Sequence, residues 1–187
     1  VNLSLSKLRT LVPALPADAE AVVKLLGERK IEVARTVALA ELLRPIVVGR
    51  VETVSQHQNA DRLRICIVSD GSERMLQIVT GATNVTEGGL YPLIRSGVSL
   101  PNGTKIKRGK LRGEVSEGML GSADELELGS DHDGLLELTG EPAPGTPLPE
   151  VIAVDDTMLI LAGDVTLEDV VQALTAPEDA TPSEPAA

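Results

Sequence analysis

Residues 105–120 read KIKRGKLRGEVSEGML. Five of the first eight are basic, Lys105, Lys107, Arg108, Lys110 and Arg112, and none of the eight is acidic. Successive side chains of an extended segment point to opposite faces. Lys105 and Lys107 therefore share one face, as do Lys110 and Arg112 beyond Gly109, while Ile106 and Leu111 turn the other way, toward a core. The stretch reads as a strand pair or a bulged strand with a cationic top and an apolar underside. A solvated strand face that binds nothing fits the same pattern.

The strip stands out against the rest of the chain. All 17 Lys and Arg lie at or before Arg112, against 10 of the 28 carboxylates; residues 113–187 hold the other 18 carboxylates and no cation. The formal net charge of −11 thus hides a concentrated cationic strip set against a strongly anionic half. Such asymmetry speaks to partners rather than to fold.

A chain of 187 residues forms one large domain or two small ones and can bury a core. Its apolar residues are almost all aliphatic. There is no Phe or Trp, and Tyr91 is the only aromatic residue. Binders that stack bases on several rings and cages built from aromatic side chains are excluded. Cys66 is the only cysteine, so there is neither an internal disulfide nor a cysteine-built zinc site. A lone thiol suits a reducing cytoplasm. No apolar run reaches the length of a membrane span, and the opening VNLSLSKLRTLV lacks the order of a secretory signal.

Taken in order, Val1–Leu5 starts a short strand, and Ser6 caps a helix over Lys7–Val12 that Pro13 stops. Asp18 caps a second helix containing Val22, Leu25 and Leu26. Ile31–Leu39 alternates as a strand. From Ile46 the texture changes to short strands divided by turn residues, the pattern of a small barrel or sandwich. These strands are Ile46–Val54, the alternating Leu63–Ile67, Met75–Thr80 and Leu90–Ile94. Ser122 caps a short helix over Ala123–Leu128, Leu135–Leu138 is a last short strand, and a Pro-rich loop comes after it. Met158–Ala162 is a further strand and Thr166 caps a helix over Leu167–Leu174. Residues 176–187 hold no large apolar side chain and are expected to be disordered.

Several loops carry polar groups. His57-Gln58-Asn59-Ala60-Asp61-Arg62-Leu63 reads either as a structural turn or as a rim from which Asn59 and Arg62 face a ligand. Gly81-Ala82-Thr83-Asn84 is a tight turn but not a phosphate loop, because the Lys-Ser/Thr ending is missing. In Ser116-Glu117-Gly118-Met119-Leu120, Gly118 permits close approach of a nucleic-acid backbone, and Ser116 can bond a phosphate or ribose hydroxyl. His132, between Asp131 and Asp133, has no third ligand and no nucleophile with a nearby base, so neither a metal nor a cofactor is expected.

These segments together resemble the tRNA-binding domain of the bacterial phenylalanyl-tRNA synthetase β subunit, a type related to domains in methionyl-tRNA synthetase C-termini and in free-standing tRNA-binding proteins. The resemblance rests on HQNADRL at 57–63 (Gln58 where the family has Pro), QIVTGATNV at 77–85, Lys105–Arg112, SEGML at 116–120 and DHDGLLEL at 131–138. Gly121 stands where the family often has Cys. The five motifs fall in order and span about 46–150. The resemblance implies an α+β fold. A five-stranded OB-fold barrel over 46–150 would be inserted in a small α/β domain made of 1–45 and 151–175. It also implies a free-standing or truncated relative that lacks the synthetase's editing and core regions.

The function implied is non-catalytic binding of tRNA by backbone charge and shape. Asn59, Arg62, Arg64, Lys105, Lys107, Arg108, Lys110, Arg112, Ser116 and Gly118 would supply the surface. The alternative is a protein-interaction or dimerisation module associated with an aminoacyl-tRNA synthetase subunit, or with a second copy of itself, with no membrane role.

Overall fold

The computed structural model describes residues 1–177; the tail expected to be disordered lies outside the described residues from position 178 on. By contacts the chain divides into two compact units. One is made of residues 1–37 with the described residues from Thr157 onward, and the other of Ala38–Asp156.

The first unit opens with β1 (Asn2–Ser4), α1 (Leu5–Leu11), α2 (Ala19–Glu28) and β2 (Val33–Ala38). Ser4, rather than Ser6, caps α1: its Oγ accepts from the Lys7 N–H at 3.0 Å, so the helix begins two residues earlier than the sequence suggests. Asp18 caps α2 by accepting from the Ala21 N–H.

The second unit begins with a five-residue helix, α3 (Leu39–Leu43), where the sequence pattern had extended a strand to Leu39. Leu39 and Leu43 lie one helical turn apart and are both buried. The barrel is then built from β3 (Val47–Gln56), β4 (Arg64–Ser69), β5 (Met75–Thr80) and β6 (Leu90–Arg95). A two-stranded hairpin comes next, β7 (Gly109–Leu111) and β8 (Glu114–Ser116), and β9 (Gly118–Leu120) completes the set. The sheet order is β5-β4-β3-β6-β9, antiparallel throughout.

The long β3 serves both halves of the barrel. Residues 47–50 pair with β6 and residues 50–56 with β4, and a register shift between Val51 and Thr53 bends the strand between the two. Closure comes from the opposite side. The Glu117 N–H donates to the Gln77 carbonyl (2.9 Å), the Gln77 N–H donates to Glu117 Oε2 (3.1 Å), and the Val79 N–H donates to Ser116 Oγ (3.1 Å). The result is a nearly closed five-stranded OB-like barrel in an α+β fold. Val47, Val51, Cys66, Val68, Ile78, Tyr91, Leu93 and Leu120 fill it.

Two expected elements do not form. Ser122 and Glu125 make the reciprocal bonds of a helix start, with the Ser122 N–H donating to Glu125 Oε2 and the Glu125 N–H to Ser122 Oγ. The helix goes no further, because Glu127 takes a left-handed φ of 56° and ends the turn at once. Residues 135–138 form no strand either. Their bonds are scattered: the Leu136 N–H donates to the Gly121 carbonyl (3.0 Å) and the Leu138 N–H to the Leu90 carbonyl (2.8 Å), while Asn84 Nδ2 donates to the Leu135 carbonyl and Asn84 Oδ1 accepts from the Leu135 N–H, both at 2.9 Å.

The chain then re-enters the first unit. There β10 (Thr157–Leu161) lies between β1 and β2, and α4 (Leu167–Thr175) starts at a full capping box of Thr166 and Asp169. Leu3, Leu8, Val22, Leu26, Leu159 and Val170 form this unit's core.

Candidate nucleic-acid interface

After β6 the chain runs out to a turn at Pro101-Asn102-Gly103 and back. The Leu100 N–H donates to the Thr104 carbonyl, the Ile106 N–H to the Val98 carbonyl, and the Arg108 N–H to Ser96 Oγ. Lys105, Lys107 and Arg108 lie exposed on the returning arm, with Ile106 half-buried. The β7–β8 hairpin comes next, with register Gly109↔Ser116, Lys110↔Val115 and Leu111↔Glu114. Its two-residue tip, Arg112-Gly113, has φ of 51° and 96°, the left-handed pair that matches the twist of a tight hairpin. Gly113 takes this conformation without cost. Arg112 takes it at some expense, and its guanidinium is held out at the tip.

Leu111 does not turn into a core as its alternation suggested. It is 45% exposed. The strip is therefore a strand pair over 109–116 preceded by an irregular cationic arm.

The hairpin is tied to the barrel on both strands. On β8, Gln77 Nε2 donates to the Val115 carbonyl (2.8 Å) and to Glu114 Oε2 (3.3 Å). On β7 the tie is His57, only 2% exposed. Its Nδ1 accepts from the Asn59 N–H (3.0 Å), which leaves the ring proton on Nε2, and Nε2 donates to the Leu111 carbonyl (2.9 Å). The 57–63 loop is itself rigidly made: Gln56 Nε2 donates to the carbonyls of Ala60, Asp61 and Leu63. Asn59 and Arg62 are exposed on this loop. The structure thus brings the 57–63 loop against the hairpin that carries Lys110 and Arg112. Arg64, half-buried, shares its strand face with buried Cys66. Burial pushes the Cys66 thiol up to about 11, against the opposing pull of Arg64.

Ser116 and Gly118 belong to the barrel rather than to a ligand surface. Ser116 is 5% exposed; its Oγ accepts from the Val79 N–H and donates to the Gly118 carbonyl, so its bonding capacity is used in closing the sheet. Gly118 is buried, and a Cβ there would lie 2.4 Å from the Ile94 carbonyl oxygen. Its small size lets β9 approach β6.

The cations divide by what they touch. Arg44 pairs with Glu150, Arg50 with Glu52, Arg74 with Glu117 and Arg95 with Asp70. Among the described residues, none of Lys105, Lys107, Arg108, Lys110 and Arg112 forms an ion pair. Tyr91 is 1% exposed and its hydroxyl donates to the Asn84 carbonyl, so the surface offers no Phe, Tyr or Trp ring. His132 is exposed beside Asp133. Among the described residues, no three metal-ligating side chains cluster, and no helix is long and apolar enough to cross a membrane.

A bulged, nearly closed five-stranded antiparallel barrel of this order defines an OB-like domain. The chain belongs to the family described as "Putative tRNA binding domain", which matches residues 46–147. Its relatives include phenylalanine–tRNA ligase beta subunits. That of Bordetella parapertussis is 46% identical over 131 residues, 70% of this chain and 16% of that protein. That of Oleidesulfovibrio alaskensis is 40% identical over 163 residues, 84% and 19%. That of Chlorobium luteolum is 39% identical over 180 residues, 93% and 22%. The chain thus spans only 16% to 22% of the length of these relatives. The crystal structure of a MetRS related protein from Pyrococcus horikoshii superposes with a TM-score of 0.42 at 22% identity, over 55% of this chain and 87% of that one.

Proposed function

We propose that this chain binds tRNA without catalysing a reaction on it, reading backbone charge and shape rather than sequence. The observation that carries this reading is the set of five exposed, unpaired cations on 105–112, set beside Asn59 and Arg62 through the His57 bond. Membership of the tRNA-binding family supports tRNA as the partner. A surface with no Phe, Tyr or Trp ring lacks the platform on which single-strand binders stack successive bases. It suits the wide, shallow minor groove of an RNA helix, with its ribose hydroxyls and flanking phosphates. Kinship with phenylalanine–tRNA ligase beta subunits supports a role within, or alongside, such a ligase in the cytoplasm.

Replacing Lys105, Lys107, Lys110 and Arg112 together by Gln tests this. Exposed charges carry little folding energy, so the barrel should melt as before while tRNA affinity and most of its salt dependence disappear. Full tRNA binding by the four-Gln variant would overturn the reading. It would favour the second one, a module for a synthetase subunit or a second copy. The observation behind that alternative is the run Asp131, Asp133, Glu137 and Glu141, exposed in a half of the chain with no cation.

A further inference from the structure

We infer that His57 is a positioning residue for RNA binding: its Nε2–H holds the tip of the cationic hairpin in one arrangement before any RNA arrives. The inference rests on the tRNA-binding reading above. A hairpin of three residues per strand is marginal in water without outside support. Here β8 has that support from Gln77, which bonds Val115 and Glu114. Among the described residues, the hydrogen bond that reaches β7 from outside the hairpin comes from His57, 54 positions earlier in the chain. Its acceptor is the carbonyl of Leu111, the residue between Lys110 and Arg112. Leu111 itself is 45% exposed, so burial holds it only in part.

The direction of the bond is fixed by the other ring nitrogen. Because Nδ1 accepts the Asn59 N–H, the ring proton must sit on Nε2, facing the hairpin. One buried ring therefore sets both the 57–63 loop and the hairpin tip, and relates Asn59 to Arg112. A side chain already ordered loses less entropy on binding. Without the tie, RNA would have to order one or two further residues on association.

Two substitutions separate the two ring nitrogens. In His57→Gln the amide N–H stands close to Nε2 and can still reach the Leu111 carbonyl. In His57→Asn the amide oxygen stands close to Nδ1 and keeps the Asn59 bond, but the hairpin bond is lost. The measurements are tRNA affinity across a salt series and amide hydrogen exchange over 109–116. H57N should bind about tenfold more weakly, about 1.4 kcal/mol, by the same factor at every salt because no phosphate-facing charge has changed. Its hairpin amides should exchange faster. H57Q should stay within about threefold of the wild type with its hairpin protected.

H57N binding as tightly as the wild type, or the two variants losing equally, would overturn the role of His57. If the four-Gln variant still lost binding in that case, the tRNA reading would stand. Absence of salt-dependent tRNA binding by the wild-type chain would overturn both. Should H57N not fold, the ¹⁵N spectrum of His57 in the wild-type chain decides: a proton on Nε2 supports the tie, and a proton on Nδ1 refutes it.

Discussion

Replacing Asn84 by Ala removes two of the hydrogen bonds that dock the 131–138 segment on the barrel and leaves those from the Leu136 and Leu138 N–H groups to the Gly121 and Leu90 carbonyls. The two that are lost run to the backbone of Leu135, at 2.9 Å each. A net contribution of about 1 kcal/mol per bond gives about 2 kcal/mol for the pair. Leu135 is itself a core residue, only 9% exposed, packed with Val51, Val68 and Leu93. Loosening its backbone forfeits part of the roughly 1.5–3 kcal/mol that burial of a Leu side chain contributes. The expected destabilisation is therefore about 2–3 kcal/mol, read as a lower urea midpoint with unchanged m. Leu135→Ala alone should cost about 2–5 kcal/mol. The double variant should cost less than the sum, by at least about 0.5 kcal/mol, because the first change already frees what the second deletes. A loss under about 0.5 kcal/mol for Asn84→Ala, or strict additivity, would refute the idea that this side chain anchors Leu135.

Two further predictions concern stability. Gly118→Ala should push β9 away from the Ile94 carbonyl and destabilise by about 1–3 kcal/mol, which a thermal melt would show; a neutral result would mean the two strands can separate without cost. Asp70 accepts from the Ser72 hydroxyl (2.6 Å), the Ser72 N–H (3.1 Å) and Arg95 (3.1 Å). Burial pushes its carboxyl up, but Ser72 and Arg95 outweigh that and hold it below the usual carboxylate range. Its stabilisation is then present above the unfolded pKa of roughly 3.9 and lost as pH falls through the lower folded value. Asp70→Asn should cost about 1–2 kcal/mol at about pH 7, and the cost should shrink steadily as pH is lowered below the unfolded pKa. A cost that does not fall with pH would contradict this account.

How much of this was legible in the sequence depends on how far apart the interacting groups lie. Met75–Thr80 is a strand as read, and Asp18 and Thr166 cap the helices they precede, because alternation and capping are decided within a few residues. The five cations of 105–112 were legible for the same reason. The helix Leu39–Leu43 was not, since one turn is too short to show a period. Leu135–Leu138 alternates like a strand, yet its bonds go to separate places: the Asn84 side chain, 51 positions before Leu135, and the carbonyls of Gly121 and Leu90.

Ser116 and Gly118 have the chemistry of a phosphate contact, but the Ser116 hydroxyl is bonded to the Val79 N–H and the Gly118 carbonyl, and Gly118 is packed against Ile94. His57 was visible only as the first residue of a turn. Its work depends on the Leu111 carbonyl, a group every residue carries and no pattern reveals. Its burial in an otherwise polar loop is the one hint a structure adds.

The central claim, that tRNA is held by the backbone charge of this hairpin surface, is tested most directly by titrating the wild-type chain with tRNA over a range of salt, with and without duplex DNA as competitor. Contact with roughly three to five phosphates predicts that log affinity falls against log salt with a slope of about −2 to −4.5. DNA, lacking the ribose hydroxyls and the A-form groove, should compete weakly. A flat salt profile, or displacement of tRNA by an equal amount of DNA, would contradict the account.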